Sequence, residues 1–264
     1  MTPHSSPLTL NRYLITGGCG FIGTNLLDFM LKKGFTRFRI LDNLSVGQID
    51  DLESVLREHG DFEKSGINSK VIYTLSSAKS SANVEVELQI GDIRNTENCN
   101  QSTENVVAVV HLAAQSGVPT SVEDPLFDCD TNVKGTLNIL ESCRKNKVEK
   151  FVFASSGAPL GEVEPPIHEQ KVPRPVSPYG ASKRAAEVFV RAYGGLYGME
   201  TVLMRLFSLY GPALRPDSVP HLIMSAILAK RPFTVFGDGS SRRDYLEVTD
   251  AADALTRAAT FVFP

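Results

Sequence analysis

A tyrosine and a lysine stand four residues apart in Tyr179-Gly180-Ala181-Ser182-Lys183. Ser177-Pro178 just ahead of them reads as a helix start, so both side chains fall on one helix face. A free tyrosine has a pKa of about 10 and is a poor base at neutral pH. A lysine one turn away favours the phenolate and lowers that value. Such a pair can take a proton from a sugar or alcohol hydroxyl. Alone it is a weak signal, because an exposed helix with two unrelated residues shows the same spacing. The other end of the chain agrees with the chemical reading.

There, Arg12 to Ile15 reads as a short buried strand that runs into Thr16-Gly17-Gly18-Cys19-Gly20-Phe21-Ile22-Gly23. Leu26, Leu27, Met30 and Leu31 then recur at helical spacing, and Gly34 closes the helix. Gly17 allows the tight turn, Gly20 lets a pyrophosphate approach the backbone, and Gly23 lets helix and strand pack closely. The phosphates would sit at the helix N-terminus, against free N–H groups and the positive end of the dipole. The second strand, Phe38 to Leu41, ends at Asp42, nineteen residues after Gly23. A carboxylate there accepts both ribose hydroxyls of an adenosine and repels a 2′-phosphate, which favours NAD over NADP. The plainer alternative is an ordinary acid at a strand end. Arg37 and Arg39 are nearby, but strand alternation makes them poor clamps for a 2′-phosphate.

Bulk properties narrow the partners. A net charge of −3 over 264 residues argues against a nucleic-acid surface or a polybasic membrane patch. Cys19, Cys99, Cys129 and Cys143 show no CxxC spacing, so no metal site is expected and a reducing, cytoplasmic setting is. The polar start has no signal-peptide core, and no segment is long enough to span a bilayer. His4, His59, His168 and His221 have no partner constellation and read as surface or core residues.

Strands alternate with helical stretches, so the expected fold class is α/β, a doubly wound parallel sheet covered on both faces. Helices are expected at 49–57, 127–145, 178–196 and 218–230, and strands at 84–90, 106–111, 151–154 and 202–206. Residues 59–83 read as a polar surface excursion, with a strand at 71–75 and mobility near 76–83. The ends of the strands near Ala113 and Ser155 are where such a sheet places its ligand crevice.

With these residues in order, the chain resembles the extended short-chain dehydrogenase/reductase superfamily, in its nucleotide-sugar epimerase/dehydratase branch. The marks are the glycine loop at 16–23, Leu41-Asp42-Asn43, Gly91-Asp92-Ile93, His111-Leu112-Ala113-Ala114 and Thr131-Asn132-Val133-Lys134-Gly135-Thr136. Ala154-Ser155-Ser156, Ser177 to Lys183, and Gly237-Asp238-Gly239 through Arg243-Asp244 complete them. The resemblance implies a modified Rossmann fold holding NAD, with a small C-terminal sugar-nucleotide lobe. The dinucleotide-binding domain would span 1–206, with 237–264 returning to it, and 207–236 would form part of the lobe. Family members usually continue for several dozen residues past the position of Pro264, so the lobe is expected to be incomplete.

By position, the resemblance assigns the cofactor to Gly17, Gly20, Phe21, Ile22, Gly23, Asp42, Asn43, Asp92, Ile93, Leu112, Ala113, Ala114, Tyr179 and Lys183. Asp92 would bond the adenine amino group, with Ile93 beside the ring. Tyr179, Lys183, Ser156 and Asn132 correspond to the family's catalytic tetrad. Ser155, Ser156, Ser208 and Arg243 would meet the nucleotide-sugar substrate, and either Ser155 or Ser156 could be the polar group in the crevice. Arg243 would grip the phosphates with its guanidinium fork. A homodimer through helices 127–145 and 178–196 is also implied.

Ser156 is followed by Gly157-Ala158-Pro159, where the family's 4,6-dehydratases carry an acidic pair. Elimination of water would lack its general acid, so 4-epimerisation of a UDP-hexose is the expected reaction. A dehydratase that borrows Glu162 or Glu164, a C4 reductase, or a non-catalytic NAD-binding protein are the alternatives. Pro159-Leu160-Gly161 stands where the family usually has Val-Tyr-Gly, and Ser208 replaces an asparagine that contacts the substrate.

Overall fold

Apolar residues alternate across β1 (Tyr13–Thr16), and both faces are buried. Tyr13 and Ile15 enter one core and Leu14 the other, the period of two that a strand imposes. The computed structural model describes residues 11–75, 83–216, 218–235, 237–240 and 242–261.

β1 lies inside an eight-stranded sheet. It pairs in parallel with β2 (Arg37–Asp42) on one side and with β6 (Ala108–His111) on the other. β5 (Val84–Ile90) extends the parallel set beyond β2, and β7 (Lys150–Ser156) and β8 (Glu200–Leu206) extend it beyond β6. The expected excursion forms a hairpin, β3 (Phe62–Ile67) and β4 (Lys70–Leu75), the latter the strand expected at 71–75, and adds two antiparallel strands to the β5 edge. β3 is exposed along most of its length, so it carried no burial pattern to read. The stretch expected to be mobile falls on residues 76–82, outside the described residues, and Asn83.

One core holds α1 (Phe21–Lys32), α2 (Ile49–His59) and α9 (Val248–Thr260) against the sheet through Leu26, Met30, Leu52, Leu56 and Leu255. The opposite face is covered by α3 (Thr96–Thr103), α6 (Thr136–Lys145) and α7 (Pro178–Tyr197), through Cys99, Ile139, Leu140, Ala186 and Val190. α3 is polar and escaped the sequence reading; Asn95 caps it by accepting from Glu97 N and Asn98 N. Arg39 closes its other end by donating to Gln101, Ser102 and Glu104 carbonyls at 3.2, 3.0 and 2.8 Å, and pairs with Glu87 at 2.9 Å. Its role is therefore structural.

The single helix expected at 127–145 is composite. α4 (Val118–Glu123) leads into α5 (Pro125–Cys129), then a π-helical segment (Asp130–Gly135), then α6. Such a bulge rotates the residues within it relative to a regular helix. Beyond β8, β9 (Leu209–Tyr210) pairs with β10 (Leu246–Glu247) in a small second sheet, and α8 (Val219–Leu228) lies between them in sequence.

Candidate active site

The parallel strands end at a cleft of about 510 Å³, at the sheet edge where an α/β fold collects its ligands. Every site residue expected from the sequence borders it except Asn132.

At one end lies the glycine cradle. Gly17 has φ +69°, and a Cβ there would stand 2.8 Å from Ala113 N. A Cβ on Gly23 would meet the Gly17 carbonyl oxygen at 2.5 Å and Gly18 Cα at 2.5 Å, so the start of α1 and the loop can touch only without one. Gly20 is different: its Cβ would make only an ordinary 3.4 Å contact, and it lines the cleft. No side chain caps α1, which leaves its first turn suited to an anionic diphosphate. Asp42 Oδ2 accepts from Cys19 N at 2.9 Å and Oδ1 from Leu44 N at 2.9 Å, so the carboxylate also fixes the loop. Burial raises its pKa, and these two N–H bonds oppose the rise. Each oxygen keeps a lone pair for a ribose hydroxyl.

Asp92 is more crowded. Its Oδ1 accepts from Arg94 N and Nε at 2.8 and 3.0 Å, and Oδ2 from Arg94 Nη2 and Asn43 Nδ2 at 2.8 and 3.0 Å. Those bonds from Arg94 hold its carboxyl down at about 2. Four donors fill its usual acceptor positions, so an adenine amino group would have to share or displace one. The Arg94 guanidinium also stacks 4.8 Å from the centre of the Phe127 ring, which lines the same end of the cleft.

Ser156, Tyr179 and Lys183 meet at the other end. Ser177 caps α7 by accepting from Gly180 N at 3.1 Å, which sets Tyr179 in the first turn. Burial pushes the phenol up, the Ser156 hydroxyl opposes this, the Asp128 charge adds to it, and Arg215 opposes it. The phenol therefore sits above its ordinary value rather than below it as the sequence reading expected, and Arg215 is a cation that bears on it. Lys183 Nζ instead donates to Ala154 O at 2.7 Å and sits 4.5 Å from the centre of the Phe153 ring. Burial lowers its pKa to about 8, with Glu187 and Asp128 resisting.

Both serines line the cleft, and the Ser155 hydroxyl donates to Glu187 Oε1 at 2.7 Å. Glu187 is 1% exposed and also accepts from Arg205 Nε and Nη2 at 2.8 and 2.7 Å and from Arg184 at 3.0 Å. Ser155 therefore anchors the strand end while it also borders the cleft.

Asn132 lies behind the wall, in the π-helical segment. Its Oδ1 accepts from Gln115 N and its Nδ2 donates to Gln115 O, both at 2.9 Å. The same Nδ2 reaches Asp128 Oδ1 at 3.0 Å and Ser182 Oγ at 3.1 Å. It ties three segments together, so its direct contacts are with protein. His111 is a second brace. Thr136 Oγ1 donates to Asn132 O at 2.7 Å and so accepts from His111 Nε2 at 3.1 Å; His111 Nδ1 then accepts from Thr16 Oγ1 at 2.7 Å. Burial and the nearby Lys183 depress His111 to about 3, so it stays neutral.

Two residues at this end escaped the sequence reading. Arg215 lines the cleft and donates to Ser116 Oγ at 2.7 Å. An arginine shortly after the Gly211-Pro212 turn was the available signal. Asp128 is fully buried and sits in a run read only as helix. Arg243 and Ser208 border the cleft as expected, with Arg243 exposed. His59 has a partner after all, Asp28 at 2.8 Å on the surface of α1.

Comparison with known proteins agrees with this geometry. Residues 13–263 match the model of the NAD dependent epimerase/dehydratase family. The chain belongs to that family. Its sequence is 36% identical over 246 residues to a UDP-glucuronate 4-epimerase of Thermodesulfobacterium geofontis, covering 92% of this chain and 70% of that protein. Its structure is similar to a UDP-N-acetylglucosamine 4-epimerase from Methanobrevibacter ruminantium in complex with UDP-N-acetylmuramic acid, at TM-score 0.79 and 27% identity, covering 95% and 73% of the two chains. It is also similar to the Thermus thermophilus UDP-glucose 4-epimerase complex with NAD, at TM-score 0.76 and 32% identity, covering 95% and 75%. The modified Rossmann fold, the NAD cofactor and the nucleotide-sugar epimerase class are thereby established for this family member. Among the described residues no helix is long and apolar enough to cross a membrane, and no group of potential metal ligands gathers.

Proposed function

We propose that this cleft inverts C4 of a UDP-hexose by transient oxidation to a 4-keto sugar, with Tyr179 as the base. The observation that carries the reading is that Tyr179, Ser156 and Lys183 line the same cleft as the glycine cradle. The cradle fits NAD, which supplies hydride acceptance and return when bound. Tyr179 takes the C4 hydroxyl proton, directly or through Ser156, and gives one back after the sugar turns over. Lys183 keeps two N–H donors beyond its bond to Ala154 for the nicotinamide ribose. Arg215 and Arg243 offer cations to the substrate's phosphates or sugar, and Ser208 a hydroxyl.

The acids lining the cleft favour epimerisation over dehydration. Among the described residues they are Asp42 and Asp92, both at the adenosine end. Glu162 and Glu164 are exposed and lie outside the cleft lining, so neither stands beside Ser156 to expel water. Incubation with UDP-, GDP-, CDP- and dTDP-hexoses, followed by mass and NMR analysis, tests the reading. Equal mass with inverted C4 supports it; loss of water identifies a dehydratase, and bound NAD without turnover a binding protein.

Cofactor choice is tested at Asp42. Asp42→Ala removes bonds to a ribose diol and two loop amides, each worth about 1.5–3 kcal/mol when the acceptor is charged. NAD should weaken by about 10- to 100-fold and the preference over NADP should relax; isothermal titration with both cofactors reads this. Unaltered selectivity would remove the ribose role.

A homodimer in the cytoplasm completes the reading. Leu126 and Phe127 on α5 and Val188, Phe189 and Leu196 on α7 are exposed apolar residues of the kind a subunit interface covers. The reduced cysteines, three of them buried, suit a reducing compartment.

A further inference from the structure

A carboxylate buried at the contact of two helices is costly unless it has partners, and an apolar residue of its size would commonly serve the fold as well. Asp128 is such a group. It is 0% exposed on α5, one turn before Asn132, and none of the roles described above uses it. Its Oδ1 accepts from Asn132 Nδ2 at 3.0 Å, and the same Nδ2 reaches Ser182 Oγ at 3.1 Å. Oδ2 is buried and has no hydrogen-bond partner among the described residues. Ser182 Oγ also lies 3.1 Å from the Tyr179 carbonyl, so the brace reaches the first turn of α7.

We propose that Asp128 is a positioning residue for the epimerisation, a buried carboxylate that holds Asn132, which in turn meets Ser182, and that sets its negative charge behind Tyr179 and Lys183. The proposal rests on the reading of Tyr179 as the base. From α7, Asp128 is faced by Tyr179, Ser182 and Lys183, and from the π-helical segment by Asn132. The phenol is further faced by Ser156 from β7 and by Arg215, and Lys183 by Glu187 and His111. The Asp128 charge favours the protonated form of both Tyr179 and Lys183. It keeps the ammonium charged and restrains the phenol from ionising, while its bond to Asn132 ties α5 to the Gln115 wall.

The test compares Asp128→Asn, which keeps the shape and an oxygen for Asn132 but loses the charge, with Asp128→Leu, which loses both. Rates are measured against pH on the NAD-loaded enzyme. A base must be ionised to act, so activity rises with pH through the phenol's titration; removing a charge that raises it moves the acid limb to lower pH. In Asp128→Asn that limb should shift downward with bound NAD and substrate KM little changed. In Asp128→Leu, kcat should fall about 100-fold, as expected for a displaced reacting group, again with NAD retained. An acid limb that stays put in Asp128→Asn overturns the proposal, whether or not the leucine variant folds. So does a leucine variant that turns over at the wild-type rate. Ultraviolet titration of the phenolate, taken as the difference from Tyr179→Phe, reads the same downward shift without turnover. Wild-type enzyme inert toward every nucleotide hexose removes the epimerase reading; wild-type turnover with an unmoved Asn profile removes Asp128 alone.

Discussion

Tyr179→Phe is expected to lower kcat by about 10²- to 10⁴-fold, the usual contribution of a positioned acid–base group, while the protein still purifies with NAD. The phenylalanine ring fills the same volume at the start of α7, and the Ser177 cap that sets this turn does not involve the phenol. What disappears is the phenol oxygen, and with it the route for the hydroxyl proton. Burial raises the wild-type phenol above its ordinary value, with Ser156 and Arg215 opposing. Wild-type activity should therefore climb from neutral toward alkaline pH, and the residual activity of the variant should lose that acid limb. Turnover of Tyr179→Phe within a few-fold of wild type, measured by NMR detection of the inverted sugar, would assign the base elsewhere.

Gly23→Ala should abolish NAD retention. The added methyl would stand 2.5 Å from the Gly17 carbonyl oxygen and from Gly18 Cα, both backbone atoms. No side chain can rotate away, so α1 must move off the loop, and the first-turn amides leave the diphosphate. Overpacking of this kind costs about 1–3 kcal/mol of stability, and the loss of bound cofactor lowers apparent stability further by mass action. Gly20→Ala is the matched control: its methyl would meet nothing closer than 3.4 Å in the protein. It should melt near the wild-type temperature while binding NAD more weakly, because the methyl projects where the diphosphate approaches. Thermal melts with and without added NAD, with cofactor content read by absorbance, separate the two effects. A Gly23→Ala protein that keeps its NAD would remove the close-packing argument.

The parallel sheet was legible because its strands are buried on both faces and its glycine loop is local: the residues that make the turn are also those that bind. The first strand of the hairpin at 62–75 was not, since β3 is exposed and lacks periodicity, while the second matches the strand expected at 71–75. Nor was α3, whose sequence is polar throughout and whose ends are held by Asn95 and Arg39. The π-helical segment was hidden inside a run that reads as one helix, yet it is what turns Asn132 toward Gln115 and Ser182.

Sequence by itself determined the chemistry available: a phenol and an ammonium one turn apart, a glycine cradle, and an acid at the end of the second strand. These are short-range patterns, and helix and strand periodicity fixes them without reference to the rest of the chain. Only the tertiary structure decided which groups face one another. It tied Ser155 to Glu187, filled the acceptors of Asp92 with Arg94 and Asn43, brought Arg215 to the cleft, and buried Asp128 against Asn132. Side-chain direction and local charge depend on pleat, helix register and burial, which arise from contacts between residues far apart in the chain.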